Sequence, residues 1–347
     1  MTMRAIAYSE TGPSSVLRLV ERDLPQPAAG EVRVRVVVSG VNPTDWKARA
    51  GASPGRSTPF DEVVPNQDGA GVVDAVGDGV TGFAEGDRVW VFLAAHQRPT
   101  GTAQEFTVLP ASRLVHLPDA AGFDLGASLG VPAMTAHRAL TVHEGGPSRL
   151  APGALEGRTV LVAGGAGAVG HAAIQLARWA GARVITTVSS PEKAALATAA
   201  GAQHVVNYRT DDAARAIRAI APDGVDQVVE VSPARNAALN AQVLANHGSV
   251  AVYATDGGGQ MSLDVRHHFA LNVRYQFLLL YTVGDAALAA AAEDVSAAVA
   301  DGALSVGEEA GLPITRFPLE RAAEAHDAVE AGTVGKVLID VADEPTD

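Results

Sequence analysis

The chain has 347 residues, a formal net charge of −13, 47% hydrophobic residues and no cysteine. This length suits two domains with sizeable cores, and an acidic balance with no basic stretch argues against a nucleic-acid footprint. Without cysteine there are no disulfides, no thiolate metal sites and no cysteine nucleophile.

The first ten residues, MTMRAIAYSE, lack the apolar core of a signal peptide. The longest strongly apolar run, residues 277–283, is far too short to span a membrane. A cytoplasmic protein with no membrane partner is the expectation.

The N-terminal third reads as β-rich. Residues 4–8 and 17–21 form strands, and EVRVRVVV at 31–38 alternates charged and apolar residues as a half-buried strand does. Asn42 before Pro43 favours a turn, with Asp45 placed to cap a short helix. Residues 51–66, rich in Gly, Pro and Ser without periodicity, read as a loop bordering a cleft. A glycine-kinked strand follows at 68–77, then a hairpin at 77–82 and strands at 88–91, 103–108 and 114–116. Short strands with glycine turns point to a partly closed, barrel-like β domain. Residues 125–140 turn helical.

The pattern then changes to alternating strands and helices. The segment TVLVAGGAGAVGHAAIQLARWAGARVITTVSSPEK, residues 159–193, reads as strand, tight turn, helix, strand. Gly165, Ala166, Gly167, Ala168, Val169 and Gly170 fit G-x-G-x-x-G between strand and helix, although Gly164 offers a competing frame. In that motif the first glycine permits the turn, the second lets backbone approach a pyrophosphate, and the third packs helix on strand. A glycine-rich turn that binds nothing is the competing reading. Strands at 204–206, 225–231, 248–254 and 272–280 alternate with helices at 194–200, 211–220 and 237–244. This is a six-stranded, doubly wound parallel sheet. A helix at 285–300, another at 321–330 and a strand at 336–341 end the chain, the last resembling the N-terminal β region in pattern.

An NAD-preferring sheet places an acid at the tip of its second strand, about 20 residues beyond the glycines. Here Ser189 and Ser190 stand at that tip, with Lys193 beyond. Hydroxyls and an ammonium suit a 2′-phosphate, so NADPH is the expected cofactor, with Glu192 arguing mildly the other way. The plainer reading makes the serines a helix cap before Pro191 and Lys193 a solvated first-turn residue.

Together these motifs resemble the medium-chain dehydrogenase/reductase superfamily, and within it the zinc-free quinone oxidoreductases similar to zeta-crystallin. The resemblance covers almost the whole chain. It is carried by Asn42-Pro43-Thr44-Asp45, the run from Asp68 to Trp90, GASLGVPAMTAHRAL from Gly126, the glycine unit, Asn207-Tyr208-Arg209 and RAAEAHDAVEAGTVGKVLIDV. It implies a GroES-like catalytic domain from 1–130 and 285–347, a Rossmann domain from 131–284 inserted in it, and a cleft between them. Zinc-dependent relatives carry a cysteine near position 45 and Gly-His-Glu near position 68, where this chain has Thr44-Asp45 and Asn66-Gln67-Asp68-Gly69. The histidines show no ligand spacing, adjacent His267 and His268 read as solvated loop residues, and no metal is expected.

The resemblance also implies that Ser189, Lys193 and Tyr208 surround the 2′-phosphate. The nicotinamide would lie across Asn42, Thr135, Val231, Tyr253 and Leu279, with Lys336 near. Asn42 alternatively only holds its own turn. Hydride transfer needs no protein nucleophile, but the oxyanion it leaves needs donors, and Asn42 and Thr135 are the candidates. The loop from 51–65 has no tyrosine to act as acid. His96 and His137 are candidate acids, each with a structural or solvated reading beside it. Trp46, Phe60 and Phe92 are candidate stacking residues for a flat acceptor, and equally core.

Three functions stay open: NADPH-dependent quinone reduction, NADPH-dependent reduction of the C=C bond of an enone or enal, and a non-catalytic NADPH-binding role. The family implies a homodimer paired through the sixth sheet strand, for which residues 275–280 are apolar enough, although a buried internal strand would read the same.

Overall fold

The alternating run EVRVRVVVSGV makes the longest strand of the protein, and its neighbours in space come from both ends of the chain. The computed structural model describes residues 2–51 and 60–344, so most of the expected loop at 51–66 lies outside the described residues. In chain order, β1 (Thr2–Ala7) and β2 (Arg18–Asp23) pair antiparallel, and β3 (Glu31–Val41) leads through Asn42 into α1 (Pro43–Arg49). Then come β4 (Asp68–Val76), β5 (Arg88–Val91), β6 (Phe106–Pro110), β7 (Leu114–His116) and α2 (Phe123–Leu140).

The alternating segment follows with β8 (Thr159–Ala163), α3 (Ala168–Trp179), β9 (Arg183–Val188), α4 (Pro191–Ala199), β10 (His204–Asn207) and α5 (Ala213–Ile220). It continues through β11 (Val225–Glu230), α6 (Pro233–Val243), β12 (Leu244–Val252), α7 (Val265–Ala270), β13 (Arg274–Phe277) and α8 (Asp285–Ala300). The last elements are β14 (Ile314–Pro318), α9 (Ala322–Glu330) and β15 (Lys336–Asp340).

These elements divide into two compact units, one of residues 1–131 with 314–347 and the other of residues 132–313. In the first, the sheet order is β14-β15-β3-β4-β5-β7, with β6 also on β3. One edge of β3 is shared: β6 pairs with Glu31 to Arg35 and β15 with Val38 to Val41. The final strand therefore does return to the N-terminal region. Between the end strands β14 and β7 no closing pair occurs among the described residues, so the sheet is open at that seam, as the expected partly closed, barrel-like arrangement allows.

In the second unit all six strands are parallel, in the order β10-β9-β8-β11-β12-β13. This is the doubly wound order, reversing direction between β8 and β11. Leu161, Ile185, Val228 and Val250 are at most 1% exposed, as strands covered on both faces require.

Sequence patterning misplaced three features. Residues 285–313, expected with the first unit, pack with the second. The Asp294 carboxylate on α8 accepts from the Leu150 N–H at 2.7 Å and from Arg149 Nε at 2.8 Å, and it meets His137 Nε2 at 2.7 Å. His267 and His268 lie on the short helix α7 rather than in a loop, capped by the Asp264 side chain. The parallel edge strand β14 escaped notice because ITRFP carries a proline and no clean alternation. Among the described residues no helix is long and apolar enough to cross a membrane.

Candidate active site

At the end of β8 the chain must turn at once into α3. Gly164 makes that turn, with φ of +71° in the left-handed region. The turn thus belongs to Gly164, not to Gly165 as the motif suggests. Gly165 is needed for packing: a Cβ there would stand 2.2 Å from Thr186 Oγ1 on β9. At Gly170 a Cβ would lie 2.4 Å from the Gly164 carbonyl oxygen. Gly167 differs. It is the exposed N-cap of α3, and a Cβ there would meet nothing nearer than the Gly164 oxygen at 3.5 Å. Ala166 is buried, while Ala168 and Val169 are half-buried at the helix start. The first N–H groups of a helix have no partner within it and sit at its positive end. A glycine cradle open on one side over such a start fits a dinucleotide diphosphate.

The adjacent strands bring the other sequence candidates together. Val188 of β9 is in register with Asn207 of β10, so Ser189 and Tyr208 emerge side by side. Ser190 caps α4, its hydroxyl accepting from the Lys193 N–H at 3.3 Å, which puts the Lys193 side chain in the same first turn. The Ser190 hydroxyl also bonds the Glu192 carboxylate and, with Glu192's own N–H, holds it below the usual range. Lys193 and Arg209 enter no ion pair among the described residues, and Tyr208 is 51% exposed. The edge therefore carries a hydroxyl, a phenol and cations that enter no ion pair among the described residues, with the Glu192 carboxylate turned onto Ser190.

Val231, Tyr253 and Leu279 lie just past the C-terminal ends of β11, β12 and β13. Val231 Cγ1 would be 3.4 Å from a Cβ on Gly164, which sets the two strand ends against each other at the reversal point. Burial, with the Glu230 and Asp256 carboxylates, pushes the Tyr253 phenol well above its usual range. Sequence reading missed Glu230, which is fully buried. Its carboxylate accepts from Ser232 N at 2.6 Å, Asn236 Nδ2 at 2.9 Å and Asn240 Nδ2 at 2.7 Å, fixing the turn after β11 to α6. The spacing of asparagines at 236 and 240, one helical turn apart and just after a strand-end acid, was the available signal.

The first unit holds a separate polar cluster. Asn42 N-caps α1, and the Asp45 carboxylate reaches back to its N–H at 2.7 Å, so Asp45 serves from the first turn rather than as the cap. The Asn42 carboxamide also meets two charged side chains from other strands. Its Nδ2 donates to Asp68 Oδ2 at 2.7 Å and its Oδ1 accepts from Lys336 Nζ at 2.7 Å. Both Asp68 oxygens also accept from the Val131 N–H at 2.9 Å, and Lys336 Nζ stands 3.9 Å from Asp68 Oδ2. Asn42, Asp68 and Lys336 are 2%, 0% and 1% exposed. Burial pushes the Asp68 carboxyl up to about 6, against the Lys336 ammonium, the Asn42 amide and the Val131 N–H. Burial also lowers the Lys336 ammonium, against Asp68 and Asp45.

Other candidates fall elsewhere. Thr135 is buried on α2 at 5% exposure. His137 is a core residue whose Nε2 meets the Asp294 carboxylate at 2.7 Å, and burial lowers its imidazole against that carboxylate. His96 lies in the turn after β5, where its carbonyl accepts from Arg113. Trp46 is half-buried with Lys47 Nζ 5.7 Å from its ring, and Phe60 packs on the edge of the core. Phe92 is 2% exposed and packs beside Trp90.

Among the described residues no group of three or more His, Cys, Asp or Glu could hold a metal ion. The donor set around Asp68 does not fit zinc: its neighbours are an amide, an ammonium and a backbone N–H, none of them a ligand type for that ion.

Known sequences can be set against this geometry. Residues 28–119 match the alcohol dehydrogenase GroES-like domain family, and residues 168–297 match the zinc-binding dehydrogenase family. The pairing of these two domains defines a medium-chain dehydrogenase/reductase. Quinone oxidoreductase from Rattus norvegicus is 32% identical, with 97% of each chain covered. A mycobacterial protein solved in complex with NADPH is 33% identical, with a TM-score of 0.80 over 97% of this chain and 99% of the other. A 2-haloacrylate reductase from Burkholderia is 34% identical over 66% of each chain. The chain belongs to the quinone oxidoreductase family of this superfamily.

Proposed function

We propose that this protein is an NADPH-dependent reductase that transfers hydride to a quinone, without a resident metal. The observation that carries the cofactor choice is the edge formed by Ser189, Lys193 and Tyr208, which has cations and hydroxyls and no acid at the tip of β9. A 2′-phosphate dianion is attracted there, whereas a ribose 2′-hydroxyl finds no carboxylate to bind. The quinone acceptor is supported by relatives of that name along nearly the full chain.

NADPH supplies the hydride when bound. Gly165 through Gly170 seat the diphosphate on the start of α3, and Val231, Tyr253 and Leu279 border the strand ends beyond. With one proton, the acceptor leaves as a hydroquinone. Asn42 is the donor we assign to the oxyanion formed before that proton arrives, with Thr135 the second candidate. A second reading, reduction of a conjugated C=C bond, is favoured by the 2-haloacrylate reductase among the relatives. It uses the same residues.

A homodimer through the edge of β13 is part of this reading. Among the described residues that strand has one neighbour in the sheet, and Phe277 and Leu279 at its end are 60% and 52% exposed.

The test is oxidation of NADPH and of NADH with a para-quinone, an ortho-quinone, a linear enal, a cyclic enone and a simple ketone. Quinone turnover with NADPH well above NADH supports the proposal. Turnover of enals or enones alone moves the chain to alkene reduction, and a preference for NADH sinks the reading of Lys193. Activity lost to a chelator and restored by zinc would overturn the metal-free mechanism.

A further inference from the structure

We propose that Asp68 and Lys336 are positioning residues for the reaction, locking the Asn42 carboxamide in one orientation and polarising it as a hydrogen-bond donor. This rests on the reading of Asn42 as the oxyanion donor.

A carboxamide has two faces, and a free one flips between them. Here the two ends of Asn42 meet opposite chemistry. The ionised Asp68 Oδ2 accepts from Nδ2 and cannot donate, and the Lys336 ammonium donates to Oδ1 and cannot accept. A flip would set Nδ2 against an ammonium and Oδ1 against a carboxylate in a dry interior, so one orientation is held. The cation drawing on Oδ1 also leaves the remaining Nδ2 proton a stronger donor, because hydrogen bonds in series polarise one another. The stronger the donor, the better it meets charge developing on an acceptor oxygen.

The frame around the pair is itself fixed. Asp68 is tied to α2 through the Val131 N–H, and Gly130 leaves it room, since a Cβ there would stand 2.1 Å from Asp68 Oδ1. Its backbone is tied from the other side by a directed string of hydrogen bonds. His326 Nε2 donates to Asn66 Oδ1 at 3.0 Å, Asn66 Nδ2 to Ser39 Oγ at 2.9 Å, Ser39 Oγ meets Thr102 Oγ1 at 2.7 Å, and the Thr102 hydroxyl donates to the Asp68 carbonyl at 2.6 Å. Asn66 sits at φ of +77°, a costly conformation for a side chain larger than glycine, two residues before Asp68. The charged groups facing Asn42 are Asp68 from β4, Lys336 from β15 and Asp45 from α1.

The experiment is a double-mutant cycle with a direct structural readout. Asn42→Ala removes the donor and is expected to lower kcat by about 100-fold with the NADPH KM unchanged. Asp68→Asn preserves volume but places an amide against an amide. It is expected to lower kcat to a similar degree, and the double variant to fall within about threefold of Asn42→Ala. Losses that multiply in the double variant would overturn the proposal. Independently of turnover, the unliganded protein labelled at asparagine is titrated by NMR. One carboxamide pair, absent in Asn42→Ala, should shift as Asp68 titrates and stay fixed with pH in Asp68→Asn. If Asp68→Asn fails to fold, the wild-type spectrum with Asn42→Ala still decides: an Asn42 pair whose two Nδ2 protons interchange as fast as those of an exposed asparagine sinks the locking role. If wild-type protein turns over no acceptor, the proposed reaction fails while the resonance still reports whether Asn42 is held.

Discussion

Lys193 and Lys336 show how differently one residue type can be used. Lys193 stands at the start of α4 with no ion pair among the described residues, and its charge is available to a ligand. Replacing it with alanine removes a charge-assisted contact, typically about 1.5–3 kcal/mol. Lys193→Ala should therefore raise the NADPH KM about tenfold or more and leave the NADH KM unchanged, as initial rates with each cofactor will show. Lys336 is buried against Asn42 and Asp68, and its charge is spent inside the protein. The glycine motif and the absence of an acid at the tip of β9 were legible because they depend on neighbours in sequence. The Asn42–Asp68–Lys336 cluster was not, because its members are 26 and 294 residues from Asn42. Only the unusual occurrence of an acid in an apolar strand hinted that Asp68 has a partner.

Among elements, α2 carries an unusual demand. Its Val131 N–H serves a carboxylate from another strand, and the next residue is a proline inside the helix. Gly130→Ala forces a Cβ into the space of Asp68 Oδ1 and should destabilise by about 1–3 kcal/mol, seen as a lower urea midpoint. The parallel strands of the second unit were readable because β8, β9, β11 and β12 are short apolar runs followed by turns. β14 was not, and neither was the allegiance of α8, which is decided by Asp294 meeting Arg149 and His137 rather than by its alanine-rich pattern. Edge strand β13 leads to a further expectation. Phe277→Lys should leave the fold intact and convert the proposed dimer to monomer, measured by sedimentation velocity.

For the whole molecule, the buried histidines set the response to acid. Burial lowers His171 to about 4 and His326 to about 3, and it moves His137 and His143 the same way. An unfolded histidine binds its proton near pH 6.5, so the unfolded chain holds more protons than the folded one between that value and those lowered ones. Their contribution is full above about pH 6.5 and is lost as pH falls. Asp68 acts in the opposite sense, since its raised value makes the folded state the better proton binder between its ordinary 3.8 and about 6. It therefore offsets part of the loss. Urea unfolding should show stability falling from pH 7 to pH 5. His171→Asn should flatten that slope by up to about 1.4 kcal/mol per pH unit.

The sharing of β3 between β6 and β15 has a consequence for synthesis. The chain emerges from the ribosome N-terminus first, so residues 1–131 appear long before β15. Until then Val38 to Val41 have no strand on that edge, and Asp68 lies in an apolar sheet without its ammonium. The inserted unit, continuous in sequence, can finish while the first one waits. The segment that carries β14, α9 and β15 is made after the inserted unit and closes the first one, and it brings Lys336 to the buried carboxamide.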